Sequence, residues 1–273
     1  MRIRIFFVLP VMVAAVFSVY SMFNPAGAFA SEHDIEKTRE ELEQKVQQFE
    51  DDADLLYEDG SLEELGEVVE LYEELLEEDP DNFEANWRIA RACRYYADLA
   101  KMQEVDDWED KCRRYGEKGM EYAKKAIELK PDRPEGYYYY GLCVGSYSDG
   151  VGIVTALRKG LKGKTQENLE KAYEIDKNFA DGGPIVALGR FWQLVPWPYN
   201  DTDKAMEYYR EFQETEYFDH PRAANARVWM SEILIDRGGS QAEEEARELL
   251  EETIELTDNP YWEKEAGDLI EEL

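Results

Sequence analysis

A repeated helix ending is the feature that most restricts how this chain can fold. Four segments of similar sequence, each an apolar helical turn followed by acidic or polar residues, occur at residues 75–80, 126–131, 172–177 and 253–258. Pro80 and Pro131 close the first two, and Pro260 follows the fourth. Proline ends a helix because it lacks an N–H and crowds the preceding turn. The recurrence therefore predicts a chain built from repeated helical units.

Four of the predicted helices, three of them directly after such an ending, have a small residue that follows an apolar one. These small residues are Ala90, Gly141, Gly189 and Ser231, spaced 51, 48 and 42 residues apart. A small side chain lets a partner helix approach closely. This is the first-helix pattern of a tetratricopeptide (TPR) repeat, whose usual period is about 34 residues. The spacing therefore predicts TPR-type hairpins with longer helices or inserted segments.

Apolar residues recur at helical spacing along most of the chain, and no alternating strand pattern exceeds a few residues. The predicted helices lie at residues 34–57, 61–78, 83–102, 107–129, 135–147, 165–176, 182–194, 201–215, 221–237, 240–256 and 260–272. We therefore predict an all-α fold, a right-handed superhelix of about five TPR-type hairpins plus a C-terminal closing helix. Such a stack buries a continuous core and leaves a concave face.

Residues 1–30 have the order of features of a cleaved export signal. Arg2 and Arg4 precede an apolar run from residue 5 to about residue 19, and Ala28-Phe29-Ala30 offers a small-x-small cleavage site. An uncleaved membrane anchor is the alternative, but a run of about 15 residues is shorter than the roughly 20 needed to span a bilayer. No cysteine follows the run, so no lipoprotein site is expected. We predict cleavage after Ala30 and no transmembrane segment in the remaining chain.

The charge of the chain excludes several classes of function. With 62 Asp and Glu against 31 Lys and Arg, its net charge is −31, which argues against binding to nucleic acid or to anionic lipid. Neither a G-x-S-x-G nor an H-E-x-x-H motif occurs. His33 and His220 are the only histidines, and neither stands at ligand spacing from a cysteine. We predict no enzyme activity, no metal site and no cofactor.

Three cysteines, Cys93, Cys112 and Cys143, allow at most one internal disulfide. Cys93 and Cys112 are predicted on the two arms of one hairpin. A bridge between them in an oxidising compartment and three buried free thiols are therefore both open.

Residues 145–164 interrupt the repeat with five glycines and four basic residues, and Asp149 is their only acid. The basic residues are Arg158, Lys159, Lys162 and Lys164. One interpretation is a loop with a short helix at residues 153–161 that forms salt bridges with the acidic body. The other is a lid or rim that attracts an anionic ligand to the concave face.

Aromatic residues are dense on both sides of this insertion. Tyr137 to Tyr140 are consecutive, and a helix turns about 100° per residue, so they cannot all face the core. In the next hairpin, Trp192 precedes a proline-containing loop at residues 194–199 that holds Trp197. We predict a ligand site formed by Tyr137, Tyr140, Arg158, Lys159, Trp192 and Trp197. The alternative is that the aromatic rings serve interhelical packing and that Trp197 seals the core over a rigid linker.

Residues 169–176, 181–190, 195–196 and 203–205 carry a more specific pattern: a repeat ending, a Gly-Gly turn, an "ALGR" helix, a Val-Pro loop and a "KA" helix. This pattern resembles the T component of tripartite ATP-independent periplasmic (TRAP) transporters, a bacterial TPR family, and the glycine-rich insertion fits the same layout. The resemblance implies a periplasmic partner of a solute-binding protein, with a cavity able to hold a small organic solute. A more distant likeness is to eukaryotic regulators of microtubule dynamics, which share the hairpin pattern.

The predicted organisation is thus a signal peptide (residues 1–30) and one TPR-like solenoid (residues 31–273). Within the solenoid, residues 31–130 are generic helical repeats, residues 131–237 resemble the family and contain the insertion, and residues 238–273 form the last helix and cap. The predicted function is a periplasmic scaffold and ligand-binding protein. The alternative is a scaffold for protein–protein interaction in the cell envelope with no small ligand.

Overall fold

The computed structural model of the chain describes residues 61–273. Its elements are α1 (Leu62–Glu78), α2 (Phe83–Met102), α3 (Trp108–Leu129), α4 (Pro134–Val151), α5 (Ile153–Arg158), α6 (Leu161–Asp176), α7 (Phe179–Leu194), α8 (Thr202–Gln213), a 3₁₀ helix (Pro221–Ala223), α9 (Ala224–Arg237), α10 (Ser240–Leu256) and α11 (Pro260–Glu272). Residues 61–273 contain no strand, which confirms the all-α class. The predicted signal, its cleavage after Ala30 and the helix at residues 34–57 lie outside the described residues.

Polar side chains fix where several helices begin. Ser61 and Glu64 form a reciprocal capping box at the start of α1, in which each side chain accepts the other's backbone N–H. Asn82 caps α2 by accepting from Ala85 N, and Asp201 caps α8 by accepting from Lys204 N. Each cap satisfies a donor that the first turn leaves free, so these starts were readable from sequence.

The helices pair as antiparallel hairpins, with α2 against α3, α4 against α6, α7 against α8, and α9 against α10. Neighbouring first helices also touch, as α2 does with α4 and α4 with α7, and α11 packs on α9 and α10 to close the series. This is the hairpin arrangement that the repeat pattern predicts.

The small residues of the first helices face the second helices of the same hairpins, as predicted. A Cβ at Gly141 would lie 2.4 Å from Leu169 on α6, and one at Gly189 would lie 2.6 Å from the Tyr209 ring on α8. The Ser231 hydroxyl instead donates to the Ala246 carbonyl on α10, at 3.3 Å. Glycine or serine is needed at these positions because the partner helix occupies the space of a larger side chain.

Helix α3 lies between α2 and α4 and buries a face made entirely of small residues. These are Cys112, Gly116, Gly119, Ala123 and Ala126. Their spacing of three and four residues places them along one side of the helix, so α3 packs against its neighbours at short distance.

Most of the predicted insertion is helical. Helix α4 continues to Val151, beyond its predicted end at residue 147, and α6 begins at Leu161, so Gly150 lies inside α4, where a loop was expected. The loop expectation was wrong because packing overrides the low helix propensity of glycine. A Cβ at Gly150 would lie 2.3 Å from the Glu109 carbonyl oxygen on α3.

The Gly-Gly turn lies near the start of α7 and has a left-handed backbone. Ala180, Asp181 and Gly182 have φ values of 50°, 55° and 78°, so the regular part of α7 begins at Gly183, one residue from the predicted start. Pro184 then lies in the first turn of that regular helix, where its missing N–H costs no hydrogen bond.

Candidate functional site

The two departures from the repeat are the connections inside successive hairpins. Helix α5 lies between α4 and α6, and residues 195–201 connect α7 to α8. Because α4 packs beside α7, both connections lie at the same edge of the stack. Lys162, at the start of α6, reaches from the first connection to the second, and its Nζ is 5.0 Å from the centroid of the Tyr199 ring.

Helix α5 is held by a small apolar cluster. Ala156 and Leu161 are buried against Val144 and Tyr147 of α4. Gly152 (φ 80°) precedes α5 and Gly160 (φ 71°) follows it, and both take left-handed backbone angles that favour glycine. The short helix therefore has a fixed place, and it leaves Ile153 and Val154 40% and 55% exposed.

The proline-containing loop points its largest side chain into solvent. Trp197 is 85% exposed, Tyr199 53% and Leu194 50%. The interpretation in which Trp197 seals the core is wrong, because Phe191 and Val195 already fill the space between α6 and α7. We refer to Ile153, Val154, Arg158, Lys162, Leu194, Trp197 and Tyr199 together as the connection surface.

The basic residues of the first connection have no carboxylate within 4.0 Å among residues 61–273. This holds for Arg158, Lys159, Lys162 and Lys164. In the described part of the chain, the interpretation that this segment salt-bridges the acidic body is therefore wrong.

Two of these basic residues, Lys159 and Lys162, contact aromatic side chains instead of carboxylates. Lys159 donates a hydrogen bond to the Tyr147 hydroxyl and lies 4.9 Å from that ring, and this hydrogen bond raises the pKa of Lys159. Lys162 Nζ is 5.9 Å from the centroid of the Trp192 ring. Lys204, from α8, approaches the same ring to 3.9 Å. Two cations thus share one indole.

The structure brings together most of the predicted site residues. Arg158, Lys159, Trp192 and Trp197 lie on or beside the connection surface, and Tyr140 packs partly buried against the cluster beneath α5. Tyr137 does not join them. It lies in the first turn of α4, where its hydroxyl donates to the Pro131 carbonyl at 3.1 Å, more than three helical turns from the connection.

Sequence reasoning missed Lys204 and the exposed apolar residues Ile153, Val154, Leu194 and Tyr199. One signal was present in the sequence. Residues 150–166 and 182–200 contain no Asp or Glu, in a chain with 62 acids. A stretch without acids in such a chain marks a surface that differs from the rest.

Elsewhere, charges on the first helices pair with one another across the stack. Arg94 donates to Ser146 at 2.8 Å, Lys101 pairs with Asp149 at 2.9 Å, and Arg190 pairs with Glu232 at 2.7 Å. These contacts join α2 to α4 and α7 to α9, so they hold neighbouring hairpins in register.

Burial raises the pKa of Asp98 to about 6, against the opposing effect of Arg94.

A depression of about 450 Å³ lies along α8. Its lining residues are Asp203, Met206, Glu207, Arg210, Glu211, Glu214 and Arg237. Its cations are already paired, Arg210 with Glu245 and Arg237 with Asp203. None of its residues belongs to the predicted ligand site.

The three cysteines are buried free thiols. Cys112 Sγ donates to the Ala97 carbonyl, and Cys143 Sγ to the Ala90 carbonyl. Burial raises the pKa of Cys112 and of Cys143 to about 12. The neighbour of Cys93 is Cys143 on α4, since a Cβ at Gly119 would contact both of them. A Cys93–Cys112 disulfide, the alternative left open by the sequence, is not formed.

Residues 49–192 match the family described as regulator of microtubule dynamics protein 1-3. This region is more than half of the chain. The chain belongs to this family. The match begins in the N-terminal repeats, which the sequence pattern had marked only as generic, and it ends at Trp192 in α7.

Curated relatives carry the same description. The mouse regulator of microtubule dynamics protein 1 is 26% identical over 186 residues, which are 63% of this chain and 57% of the mouse protein. The bovine protein is 31% identical over 160 residues, 58% of this chain and 45% of its own length. The chain thus spans about half the length of these relatives.

Two solved structures are similar in part. MamA is 17% identical and covers 88% of this chain and 99% of its own, with a TM-score of 0.43. YrrB, a TPR protein with an unusual peptide-binding site, is 15% identical and covers 83% of this chain and 97% of its own, with a TM-score of 0.38.

The family match supports the likeness to regulators of microtubule dynamics, which the sequence pattern had ranked second. It does not support the likeness to the TRAP T component specifically. The likeness to the T component rested on the pattern at residues 169–176, 181–190, 195–196 and 203–205, whereas the likeness to the regulators rested on the hairpin pattern that both families share. Part of the first pattern, such as the small residue Gly189, follows from helix packing, so it does not separate one TPR-like family from another.

Proposed function

We propose that this chain is a non-enzymatic scaffold that binds a protein partner through the connection surface. The observation that carries the proposal is the exposure of Trp197, Tyr199 and Leu194 in one short loop. Clustered exposed apolar side chains mark interaction sites. Trp and Tyr are also the residues that most often dominate binding energy at protein interfaces.

The chemistry of the described residues favours binding over catalysis. Residues 61–273 contain no group of three or more His, Cys, Asp or Glu placed to hold a metal ion. The thiols of Cys112 and Cys143, with pKa values near 12, are protonated at neutral pH and are poor nucleophiles.

We take the setting of this interaction from the family. The curated relatives are named regulators of microtubule dynamics, and we extend that role to this chain as part of the proposal. The partner would then be a component of the machinery that controls microtubule assembly.

The N-terminal residues favour a second setting. The signal pattern of residues 1–30 is that of an exported protein, and no helix within residues 61–273 has the length and apolar content to cross a bilayer. In a bacterial periplasm the partner would be a solute-binding protein with a small organic solute. N-terminal sequencing of the protein from its native cell separates the settings: a chain starting at Ser31 favours export, and an intact Met1 contradicts it.

The test of the proposed function is affinity capture with wild type and Trp197→Ala. Burying an indole removes about 150–250 Å² from water, and truncating such an anchor costs at least about 2 kcal/mol of binding free energy. This corresponds to a loss of about thirtyfold in affinity.

Leu256→Ala is the matched control for that capture, because Leu256 is also an exposed large apolar residue, at 38%, and lies at the end of α10. We expect a partner that wild type and Leu256→Ala retain and Trp197→Ala loses. Equal capture by all three proteins would show that the connection surface is not the binding site.

A further inference from the structure

We infer that the partner segment is an extended peptide that alternates apolar and acidic side chains and lies across both connections. This inference rests on the proposed function and adds the chemical class of the partner. The connection surface combines exposed apolar groups with cations that lack carboxylate partners in the described part of the chain, and such a peptide supplies both complements.

Three aromatic rings surround the ammonium group of Lys162. Lys162 Nζ lies among the rings of Phe191, Trp192 and Tyr199, at 6.0, 5.9 and 5.0 Å from their centroids. Ring faces attract an ammonium group, and they leave its outward N–H donors available. The polar contact of Lys162 within the described chain is a long one, 3.4 Å to Gln166 Oε1.

Lys204 and Trp192 extend the same site towards α8. Lys204 Nζ lies 3.9 Å from the centroid of the Trp192 ring, and the buried Nε1 of Trp192 has no hydrogen-bond partner within residues 61–273. A carboxylate placed beside the Trp192 ring would therefore have the ammonium groups of both Lys162 and Lys204 in its neighbourhood. Arg158, exposed at the end of α5, provides a further cation along the same edge.

The net charge of −31 favours a narrow peptide over larger anionic partners. A second copy of this chain or an anionic membrane would bring many negative charges close to the acidic body, and both would be repelled. A peptide in extended form contacts the connection surface alone. About 12 residues span roughly 40 Å, enough to cross two neighbouring hairpins.

The experiment measures binding of the full chain to three pools of random fluorescent peptides of that length. All pools contain Leu, Trp and Ser, and the charged or polar position is Glu in the first, Gln in the second and Lys in the third. We expect the Glu pool to bind at least tenfold more tightly than the Gln pool, and the Lys pool to bind least. Raising the salt concentration should reduce the difference in affinity between the Glu and Gln pools. Above 0.1 M salt the Debye length falls below about 10 Å, so the attraction between charges is screened.

Charge reversal on the protein provides the matching test. Lys162→Glu combined with Lys204→Glu should weaken binding of the Glu pool at least tenfold and should improve binding of the Lys pool. Arg158→Glu, at an exposed position, gives the same readout with little effect on packing. Lys124→Glu is the control, since Lys124 is exposed on α3 and its ion pair within residues 61–273 is with Glu128 on its own helix.

Several outcomes would overturn the inference. These are equal binding of the Glu and Gln pools, unchanged binding after charge reversal, binding to phosphatidylserine vesicles in preference to every pool, and Trp197-dependent self-association in sedimentation. If capture of a protein still depends on Trp197 in those cases, the proposed function stands and only the acidic class falls. If Trp197→Ala leaves capture unchanged, the proposed function itself falls.

Discussion

Replacing Gly116 by alanine tests the close approach of α3 and α4. An added Cβ would lie 2.5 Å from Tyr147 N, 2.8 Å from Tyr147 Cα and 2.9 Å from the Cys143 carbonyl oxygen. All three atoms belong to the backbone of α4. No change of side-chain rotamer can therefore relieve the contact, and the two helices must move apart.

The cost follows from two opposing effects. Overpacking a well-packed core costs about 1–3 kcal/mol, and a backbone clash lies at the upper end. Alanine recovers up to about 1 kcal/mol through its higher helix propensity. We expect the free energy of unfolding to fall by about 2 kcal/mol for Gly116→Ala, which lowers the Tm by roughly 4–8 °C in a domain of this size.

Gly145→Ala is the matched control, because Gly145 is exposed in the interior of α4 and a Cβ there would have no neighbour within 4 Å. This variant should be more stable than wild type by about 0.5–1 kcal/mol. Urea and thermal unfolding followed by far-ultraviolet circular dichroism measure both. If Gly116→Ala is as stable as Gly145→Ala, the close packing of α3 against α4 described here is incorrect.

Three further predictions concern buried polar groups. The folded-state pKa of Asp98 is about 6, against an ordinary 3.8. The stabilisation of the folded state that is linked to protonation of Asp98 is therefore complete below about pH 4 and is lost as the pH rises through 6. From pH 4 to pH 7, urea unfolding should therefore show Asp98→Asn gaining on wild type by on the order of 1–3 kcal/mol, and an unchanged difference would contradict the raised pKa. Arg227 is fully buried and has no hydrogen-bond partner for Nε or Nη1 within the described residues. Arg227→Met should therefore leave the free energy of unfolding unchanged or raise it, whereas Arg227→Ala should lower it by about 2–5 kcal/mol. Calorimetry that finds both variants equally destabilised would refute this. The three buried thiols should resist alkylation in the native protein, and mass spectrometry after unfolding without reductant should find all three labelled, whereas one labelled thiol would reveal a disulfide.

The repeat itself was predictable because it depends on local chemistry. Pro80 and Pro131 stop the preceding helices because proline lacks an N–H. Asn82 and Asp201 start the following helices because their side chains accept backbone N–H groups. Gly141 and Gly189 predicted close helix approach because a small side chain is the requirement for it, whichever partner approaches. For these reasons helix order, hairpin pairing and the all-α class followed from the sequence.

The candidate site was predictable only in part. An insertion rich in Gly, Lys and Arg was singled out from the sequence, as was the proline-containing loop, since both break the repeat. The exposure of Trp197 was not predictable, because an indole in a loop either covers the core or faces solvent, depending on which side chains fill the space beneath it. Val195 and Phe191 fill that space here, and their placement depends on the packing of α6 against α7.

The sequence by itself thus determined that this chain is a stack of acidic helical hairpins with two irregular connections, because charge, periodicity and helix termination are properties of neighbouring residues. Only the tertiary structure decided that Gly150 belongs to a helix and that the two connections share one edge. It also showed that Lys162 and Lys204 both approach the Trp192 ring and that neither forms an ion pair with a carboxylate in the described chain. These facts concern residues far apart in sequence, and their distances are set by how hairpins stack.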